Sequence, residues 1–507
     1  MHGRGTPLFM NAAGKSSNET GSSLVGNTVW NLAGSIVPLA VGLLAVPPLL
    51  GAMGIERFGI LTLLWMLTGY FGFLDFGLGR ALTKLVAERA ASADGGDSGR
   101  IVWTAMALMS AFGAFGALVV VLAADPLVRV VLNVPADLRA EATGAMWFLA
   151  LSVPFTIVGA GLRGVMDGFH LFRLANLIRM PLAAAIFLAP LAVSLFTPSL
   201  VAVSASLFAV RAAGLIAHAL ACLRALPALA KVEPPDRTLF RPLLAFGGWL
   251  TVSNVIGPLM TYLDRFLIGS LASMAAVAYY ATPYEVVTKL LFVPAALAGV
   301  LFPRFSRDLA HRDQESHRLM NRSIAAVFAL LFPVVLPIVA FAEEALALWL
   351  GADFASHSYR VLQWLAAGVL ANAMALVPFT FVQGAGMPDR VAKLHLIELP
   401  LYLVGLWFAL EMAGIEGAAM VWTARVVVDG LALLWMAGRA APFATRFPVR
   451  LAVAIALACA SLGWVASVQS AELRALIALG AAGASAMLLW RMCFEGVQRG
   501  ATRSGLR

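Results

Sequence analysis

The strongest constraint in this sequence is a series of fourteen apolar stretches, each roughly 20–27 residues long, separated by short polar segments. A helix rises 1.5 Å per residue, so about 20 apolar residues cross the roughly 30 Å hydrocarbon layer of a bilayer. Each stretch is therefore predicted to be a membrane-spanning helix, and the predicted fold class is an all-α polytopic membrane protein. The predicted spans are 24–50, 56–80, 101–123, 142–163, 174–196, 199–222, 243–268, 275–302, 323–348, 360–384, 391–413, 416–438, 450–468 and 472–492.

The composition excludes the other broad classes. Hydrophobic residues make up 61% of the chain and charged residues 12%, about half the share that covers the surface of a soluble protein. A soluble enzyme and a disordered chain are both excluded, because the chain has much apolar surface to bury and little charge. The first apolar run is too long for a cleavable signal peptide and is expected to remain as an anchor. The three cysteines show no C-x-x-C spacing and are predicted to be small core residues.

The distribution of basic residues predicts the topology. Of the 36 Lys and Arg residues, 27 fall on the same side of the predicted membrane as the N-terminus, five fall on the opposite side and four lie within spans. Cytoplasmic loops carry such an excess, so both termini are predicted to be cytoplasmic. The net charge of +9 is therefore attributed to topology, and no nucleic-acid partner is expected. All loops are short, so the helices themselves are expected to carry the function.

An internal repeat divides the chain into two similar parts. The segment Pro154–Gly161 recurs as Pro378–Gly386 with one inserted residue, and Asn176–Leu182 recurs as His395–Leu401. The offset is close to six spans, which predicts two six-helix lobes in the same orientation, a transporter architecture in which substrate binds between the lobes. The predicted segments are a cytoplasmic tail (1–23), the N-lobe (24–224), a cytoplasmic linker (225–242), the C-lobe (243–440), spans 13 and 14 (441–494) and a second cytoplasmic tail (495–507).

Short motifs follow one another in a characteristic order between residues 24 and 440. They are Asn31, Pro47–Gly54, Glu56–Gly59, Gly69-Tyr70, Leu74–Leu78, Tyr262–Gly269, Tyr279-Tyr280, Gln383–Gly386, Glu398–Pro400 and Gly414–Ala419. Together they resemble the polysaccharide-transporter branch (Wzx-type O-antigen flippases) of the multidrug/oligosaccharidyl-lipid/polysaccharide flippase superfamily. Spans 13 and 14 match this family in number only. The resemblance implies a bacterial inner-membrane protein that moves undecaprenyl-pyrophosphate-linked oligosaccharide (an O-antigen, capsule or exopolysaccharide repeat unit) to the periplasmic leaflet.

Three other functions remain open from the sequence. A multidrug or cation exporter of the MATE type and a lipid II flippase are close alternatives in the same superfamily. A membrane glycan polymerase or glycosyltransferase is a remote one, because the loops opposite the termini are short and carry no D-x-D pair. The glycine pattern Gly159–Gly164 lacks the preceding strand of a nucleotide site. No enzymatic activity and no cofactor are therefore expected, apart from a coupling ion, H+ or Na+.

The expected partners follow from the resemblance. They are a lipid-pyrophosphate oligosaccharide, membrane lipids and, as candidates, a glycan polymerase and a chain-length regulator.

Cationic residues within the spans are the first candidates for substrate binding. A charged side chain at the bilayer centre costs about 2.5–3.5 kcal/mol on insertion scales, so each one needs a reason. Arg and Lys could replace the hydration that a pyrophosphate loses in the membrane. The substrate-binding candidates are Arg211, Lys289, Arg425 and Arg179, the last of which matches Glu398 in the repeat.

Acidic residues within the spans are candidates for coupling or gating. They are Asp75, Asp264, Glu398 and Asp429. A partly desolvated carboxyl group can bind and release a proton during transport. A structural role is the alternative for several of these charges: Glu285 with Lys289, and Arg425 with Asp429, have the i,i+4 spacing of a salt bridge on one helix.

Two further expectations concern how these charges are partnered. The neighbours Asp264 and Arg265 are expected to pair with different helices in a structural role, because adjacent residues do not face each other on a helix. Arg211 has no acid three or four residues away on its own helix. It is therefore the first choice for binding substrate.

Overall fold

The computed structural model describes residues 20–71, 77–90, 98–241, 262–310, 315–440, 449–485 and 487, and every regular element in these ranges is helical. Short π or 3-10 turns lie at Leu127–Val131, Pro227–Ala230, Arg237–Leu239 and Thr288–Leu291. The longer helices are α1 (Thr20–Met53), α2 (Ile55–Phe71), α3 (Leu78–Ala90), α4 (Ser98–Pro126), α5 (Arg139–Gly168), α6 (Phe172–Ser194), α7 (Leu200–Ala225), α8 (262–271), α9 (Met274–Val287), α10 (Phe292–Ala310), α11 (Glu315–Ala340), α12 (Ala342–Leu350), α13 (Ala352–Gly384), α14 (Pro388–Ala440), α15 (Val449–Ser467) and α16 (471–485).

The helices confirm a multi-pass membrane fold. Within the described ranges, eight helices are long and apolar enough to cross a bilayer, and the shorter apolar helices Val37–Met53 and Ile455–Ser467 accompany them. Most of the predicted span 243–268 and the end of the predicted span 472–492 lie outside the described residues. The exact number of fourteen spans therefore stays a prediction.

A single glycine divides the longest helix into a hairpin. Gly414 adopts φ 58° and ψ −142° in the middle of α14, a conformation that essentially only glycine reaches at low cost. The two arms of α14 correspond to the separate spans predicted at 391–413 and 416–438. Close to this turn, a side chain at Gly417 would overlap the carbonyl of Ala409, so the arms approach each other closely there.

The described residues group into two compact units. The first contains those within Met1–Ala52, Phe71–Val121 and Gly144–Thr251, and the second those within Met53–Tyr70, Leu122–Thr143 and Val252–Arg507. In the first unit α6 packs along α7, and in the second unit α13 is central and contacts α9, α10, α11, α12 and α14. The lobes, linker and tails predicted as continuous segments of the chain stay predictions.

The two repeats lie on similar helix–turn–helix elements. The turn after α5 contains His170 at φ 59° and the turn after α13 contains Gly386 at φ 76°, each closed by the same pattern of backbone hydrogen bonds. The register differs, because Pro154 lies roughly four helical turns before His170 but Pro378 only about two turns before Gly386. Measured from these turns, the predicted equivalence of Arg179 and Glu398 is shifted by about one helical turn.

The motif Glu56–Gly59 fastens α2 to the start of α9 within the second unit. The Glu56 carboxylate accepts a hydrogen bond from the backbone N–H of Ala275 at 3.2 Å, where the partial positive charge of the helix N-terminus favours an anion. Gly59 packs directly on the carbonyl of Met274. Arg57 donates from Nε to Glu141 at 3.0 Å. This part of the motif therefore has a structural role.

The segment that follows α7 is fixed against α4 in the first unit. The indole N–H of Trp103 donates to the carbonyl of Leu229 at 3.2 Å, and the backbone N–H of Asp236 donates to the Thr104 hydroxyl at 3.0 Å. The hydroxyl and amide of Thr238 both donate to the Asp236 carboxylate, and these bonds lower the pKa of Asp236 below its usual range. The predicted linker 225–242 is thus an ordered part of this unit as far as residue 241.

The close packing at Gly59 predicts that adding one methyl group at this position destabilises the protein. In Gly59→Ala the new Cβ would overlap the backbone carbonyl of Met274, which cannot move without shifting the start of α9. We expect a destabilisation of about 1–3 kcal/mol, measured as a lower apparent midpoint of thermal unfolding in detergent. Gly159→Ala is the matched control, because a Cβ at that helical position meets no atom of the described chain within 4 Å. Equal midpoints for the two variants would contradict the packing role.

Candidate functional site

A buried ion pair joins the neighbours Asp264 and Arg265 on α8. Their side chains are 0% and 1% exposed, and Nη1 of Arg265 lies 3.2 Å from Oδ1 of Asp264. Asp264 also accepts a hydrogen bond from the Tyr280 hydroxyl at 2.9 Å, and the guanidinium lies 4.1 Å from the centroid of the Tyr284 ring. The expected partners on another helix are present, because Tyr280 binds Asp264 and Glu285 binds Arg265, both from α9. The pair between the two neighbours was not expected, and it forms because the long Arg265 side chain folds back onto the preceding carboxylate.

Glu285 shares its carboxylate between two cations. It accepts from Nη2 of Arg265 at 3.4 Å and from Nζ of Lys289 at 3.3 Å. The i,i+4 ion pair that the spacing predicts is therefore present. Lys289 is 37% exposed, so its pair with Glu285 contributes little to stability. We call Asp264, Arg265, Tyr280, Glu285 and Lys289 the α8–α9 cluster.

A second group of charges lies between the two arms of α14. Nη1 of Arg425 lies 3.9 Å from Glu398, and Nε2 of His395 lies 3.4 Å from Oδ1 of Asp429. Arg425 also lies 5.4 Å from the centroid of the Tyr402 ring. The predicted i,i+4 pair of Arg425 with Asp429 was wrong for these described residues, because the antiparallel arms bring partners from the opposite arm closer. We call His395, Glu398, Tyr402, Arg425 and Asp429 the α14 cluster.

Aromatic side chains connect the two clusters within the second unit. Tyr284, which stacks under Arg265, makes an edge contact with Trp422 of α14 at a centroid distance of 5.4 Å. Asp264 and Arg425 are also close enough to interact electrostatically. The structure therefore brings five of the predicted site residues into one polar and aromatic region. They are Lys289, Arg425, Asp264, Glu398 and Asp429.

Arg211 lies in the first unit on the buried stripe of α7. Leu207, Gly214 and His218 are buried members of that stripe, and Arg211 falls between the first two at helical spacing. Its side chain is half-buried. Among the residues that the structure describes, none forms a hydrogen bond or an ion pair with Arg211. The positive charge on this stripe is therefore uncompensated within the described chain.

The two remaining predicted residues are less informative. Arg179 on α6 is exposed and interacts electrostatically with Asp167, as Arg163 does. Asp75 lies outside the described residues. The role of every predicted site residue, in substrate binding or in coupling, stays a prediction.

The sequence reasoning missed two members of the α14 cluster. The sequence analysis names His395 only as the first residue of a repeated segment, although its i,i+3 spacing to Glu398 places both side chains on one helix face. Tyr402 is buried one turn beyond Glu398 on the same face. The contact of both residues with the second arm depends on the hairpin, which the spacing does not reveal.

The chain matches, over residues 24–309, the model of a family described as polysaccharide biosynthesis protein. It is 30% identical over 414 residues to a Shigella flexneri protein named as an O-antigen transporter, with 82% of this chain and 97% of that protein covered. The chain belongs to this family. A second relative of this chain, named as a low-salt glycan biosynthesis flippase of Haloferax volcanii, is 24% identical over 37% of this chain and 40% of its own length.

Solved structures of two transporter types share the fold. An inward-facing MATE-family multidrug resistance transporter of the MOP superfamily has a TM-score of 0.65 at 15% identity, covering 82% of this chain and 94% of its own. The lipid II flippase MurJ in an inward closed conformation has a TM-score of 0.65 at 12% identity, covering 93% of this chain and all of its own. The chain described here therefore has the MATE- and MurJ-like fold that the resemblance implies.

The burial of the Asp264–Arg265 pair predicts a structural effect that Lys289 does not share. In Asp264→Ala a fully buried guanidinium would lose its nearest carboxylate, and we expect a destabilisation of about 3–5 kcal/mol. Lys289→Ala removes a partly exposed charge and should change stability by less than about 1 kcal/mol. Both are measured as thermal unfolding midpoints of the purified protein in detergent. Loss of transport in Asp264→Ala at an unchanged midpoint would favour a coupling role instead.

Proposed function

We propose that this protein is a flippase that moves a lipid-linked oligosaccharide, carried on a polyprenyl pyrophosphate, from the cytoplasmic to the periplasmic leaflet of a bacterial inner membrane. The observation that carries the proposal is Arg211, an arginine on the buried stripe of a membrane helix with no partner among the described residues. The protein would work by alternating access, exposing its binding site to one side of the membrane and then to the other.

The chemistry of the proposed substrate explains why an arginine such as Arg211, unpaired in the described chain, would be useful within a membrane helix. A pyrophosphate loses its hydration when it enters a low-dielectric layer, and an arginine restores part of that stabilisation through two parallel hydrogen bonds. An arginine already neutralised by a carboxylate would have to give up that partner first. Arg211 has no such competitor in the described chain, whereas Lys289 and Arg425 do.

The relatives support the same class of substrate. The Shigella flexneri protein named as an O-antigen transporter matches this chain over nearly its whole length. We therefore propose that the moved oligosaccharide is a repeat unit of a surface polysaccharide, and that the protein has no enzymatic activity of its own. A glycan polymerase and a chain-length regulator are the proposed partners that receive the flipped product.

The charge distribution supports placing both termini in the cytoplasm. The contact of Arg57 with Glu141, both at predicted span ends on the side opposite the termini, is consistent with this topology. The coupling ion is proposed to be H+ or Na+, and the carboxylates available for it are Asp75, Asp264, Glu398 and Asp429. No other cofactor is proposed.

The decisive experiment is deletion of the gene followed by fractionation of lipid-linked sugar intermediates. A flippase for this substrate leaves oligosaccharide of full repeat-unit length on the cytoplasmic leaflet, with loss of surface polysaccharide. Unchanged surface polysaccharide together with sensitivity to cationic drugs would show that the substrate class is wrong and that a MATE-type exporter is the better description. Loss of cell-wall synthesis with accumulation of lipid II would indicate a lipid II flippase.

Substitution of Arg211 tests the residue that the proposal depends on. Loss of one charged, bidentate contact is worth about 1.5–3 kcal/mol, so Arg211→Ala should lower the rate of surface polysaccharide export about 10- to 100-fold. Arg211→Lys keeps the charge and should retain part of the activity. Arg129→Ala is the control, because Arg129 is exposed and paired with Asp125 on its own helix. Normal export by Arg211→Ala, at matched protein levels, would remove Arg211 from the site.

A further inference from the structure

We propose that His395, Glu398 and Asp429 form a binding site for a divalent metal cation of the zinc type between the two arms of α14. His395 and Glu398 lie one turn apart on the first arm, and Asp429 lies opposite on the second. One ligand atom from each residue lies within 4.8 Å of the other two. Di-iron sites in helix bundles likewise combine a histidine and a carboxylate at i,i+3, there in the order Glu-x-x-His, with carboxylates from facing helices.

The buried oxygen atoms of Glu398 point independently to a missing ligand. Glu398 is 7% exposed, and both of its carboxylate oxygens are buried without a hydrogen-bond partner among the described residues. Oδ1 of Asp429 lies 3.4 Å from Nε2 of His395 but forms no hydrogen bond, and the buried hydroxyl of Tyr402 also has no hydrogen-bond partner among the described residues. Buried polar groups are nearly always satisfied, and a bound ion is one of the few explanations for such a concentration of unsatisfied oxygens.

The net charge of the α14 cluster is compatible with a bound cation. With both carboxyls ionised and His395 neutral, Glu398 and Asp429 would supply two negative charges against one positive charge on Arg425. Arg425 approaches Glu398 only to 3.9 Å, and no hydrogen bond forms between these two described side chains. The arginine is therefore a weak partner that a metal ion, bound at about 2.0–2.2 Å from its oxygen ligands, would replace.

The donor set selects the class of ion. One imidazole nitrogen and two carboxylate oxygens match the ligands of Zn2+ and related first-row transition metals, whereas Na+, Mg2+ and Ca2+ favour oxygen ligands alone. Nε2 of His395 and Oδ1 of Asp429 lie 3.4 Å apart, which is about the spacing of two ligands around a tetrahedral zinc ion. Glu398 completes the site after a small closure of the two arms.

Binding of the cation would change the state of Arg425. When a metal ion binds the Glu398 carboxylate, Arg425 loses its carboxylate neighbour. The positive charge of Arg425 then becomes available to bind an anion. This second step rests on the proposed function, since the anion would be the pyrophosphate of the substrate. Cation and substrate would then bind with positive coupling, and each would raise the affinity for the other by the same factor.

The site itself is tested without any substrate, by titrating the purified full-length protein in detergent with Zn2+ and by recording the absorption spectrum of bound Co2+. We expect one ion per chain and a Co2+ spectrum that depends on His395. His395→Ala, Glu398→Gln and Asp429→Asn should each weaken binding about tenfold or more. Arg425→Gln should strengthen it about tenfold, because a competing charge near Glu398 is removed.

The matched control is the double variant His357→Gln with Asp353→Asn. These residues form another histidine–aspartate pair of the second unit, at an exposed position, and their loss should leave binding unchanged. Absence of binding in the unmodified protein, or equal binding in His395→Ala, would overturn the proposal. His395 is partly exposed, so its variant remains informative even if Glu398→Gln fails to fold. Failure of metal binding would leave the deletion phenotype of the proposed flippase unaffected, so the two proposals fail separately.

Discussion

The low dielectric of a membrane is the constraint on which the rest of this structure depends. No water is available there to satisfy backbone N–H and C=O groups, so the chain must satisfy them internally, and helices do so within one segment. The same constraint acts on side chains, because every charge removed from water needs a partner or a function. The Asp264–Arg265 pair shows the first outcome, with both side chains buried and paired. Arg211 has no such partner among the described residues, and substrate binding is the function proposed for it.

The helices could be predicted from the sequence because apolar length is a strong and local signal. The spans predicted at 101–123 and 142–163 lie inside α4 and α5, and the turn between the spans at 391–413 and 416–438 is Gly414. The partners of charged side chains could not be predicted in the same way. Spacing along one helix predicts the pair of Glu285 with Lys289, but it cannot show which residues a neighbouring helix offers.

The α14 cluster illustrates what spacing leaves undetermined. Arg425 and Asp429 have the spacing of a salt bridge, yet each contacts a residue of the opposite arm instead. The hairpin determines which partners these two residues contact, because it places His395 and Glu398 beside the second arm, far from the turn at Gly414. His395 carries no local signal beyond its spacing to Glu398. Its contact with Asp429 depends on a tertiary arrangement that a single sequence does not contain.

The two arms of the α14 hairpin can rotate relative to each other about Gly414. Glu398 and Asp429 each lie about 15 residues from this turn, so the arms are roughly 22–24 Å long at the height of the cluster. At that radius a rotation of about 2–3° at the glycine moves the opposing side chains by about 1 Å. A residue with wide backbone freedom at the pivot can supply such a rotation without disturbing a hydrogen bond in either arm. A small change of angle at one end of the hairpin would thus open or close the distances between carboxylates at the other.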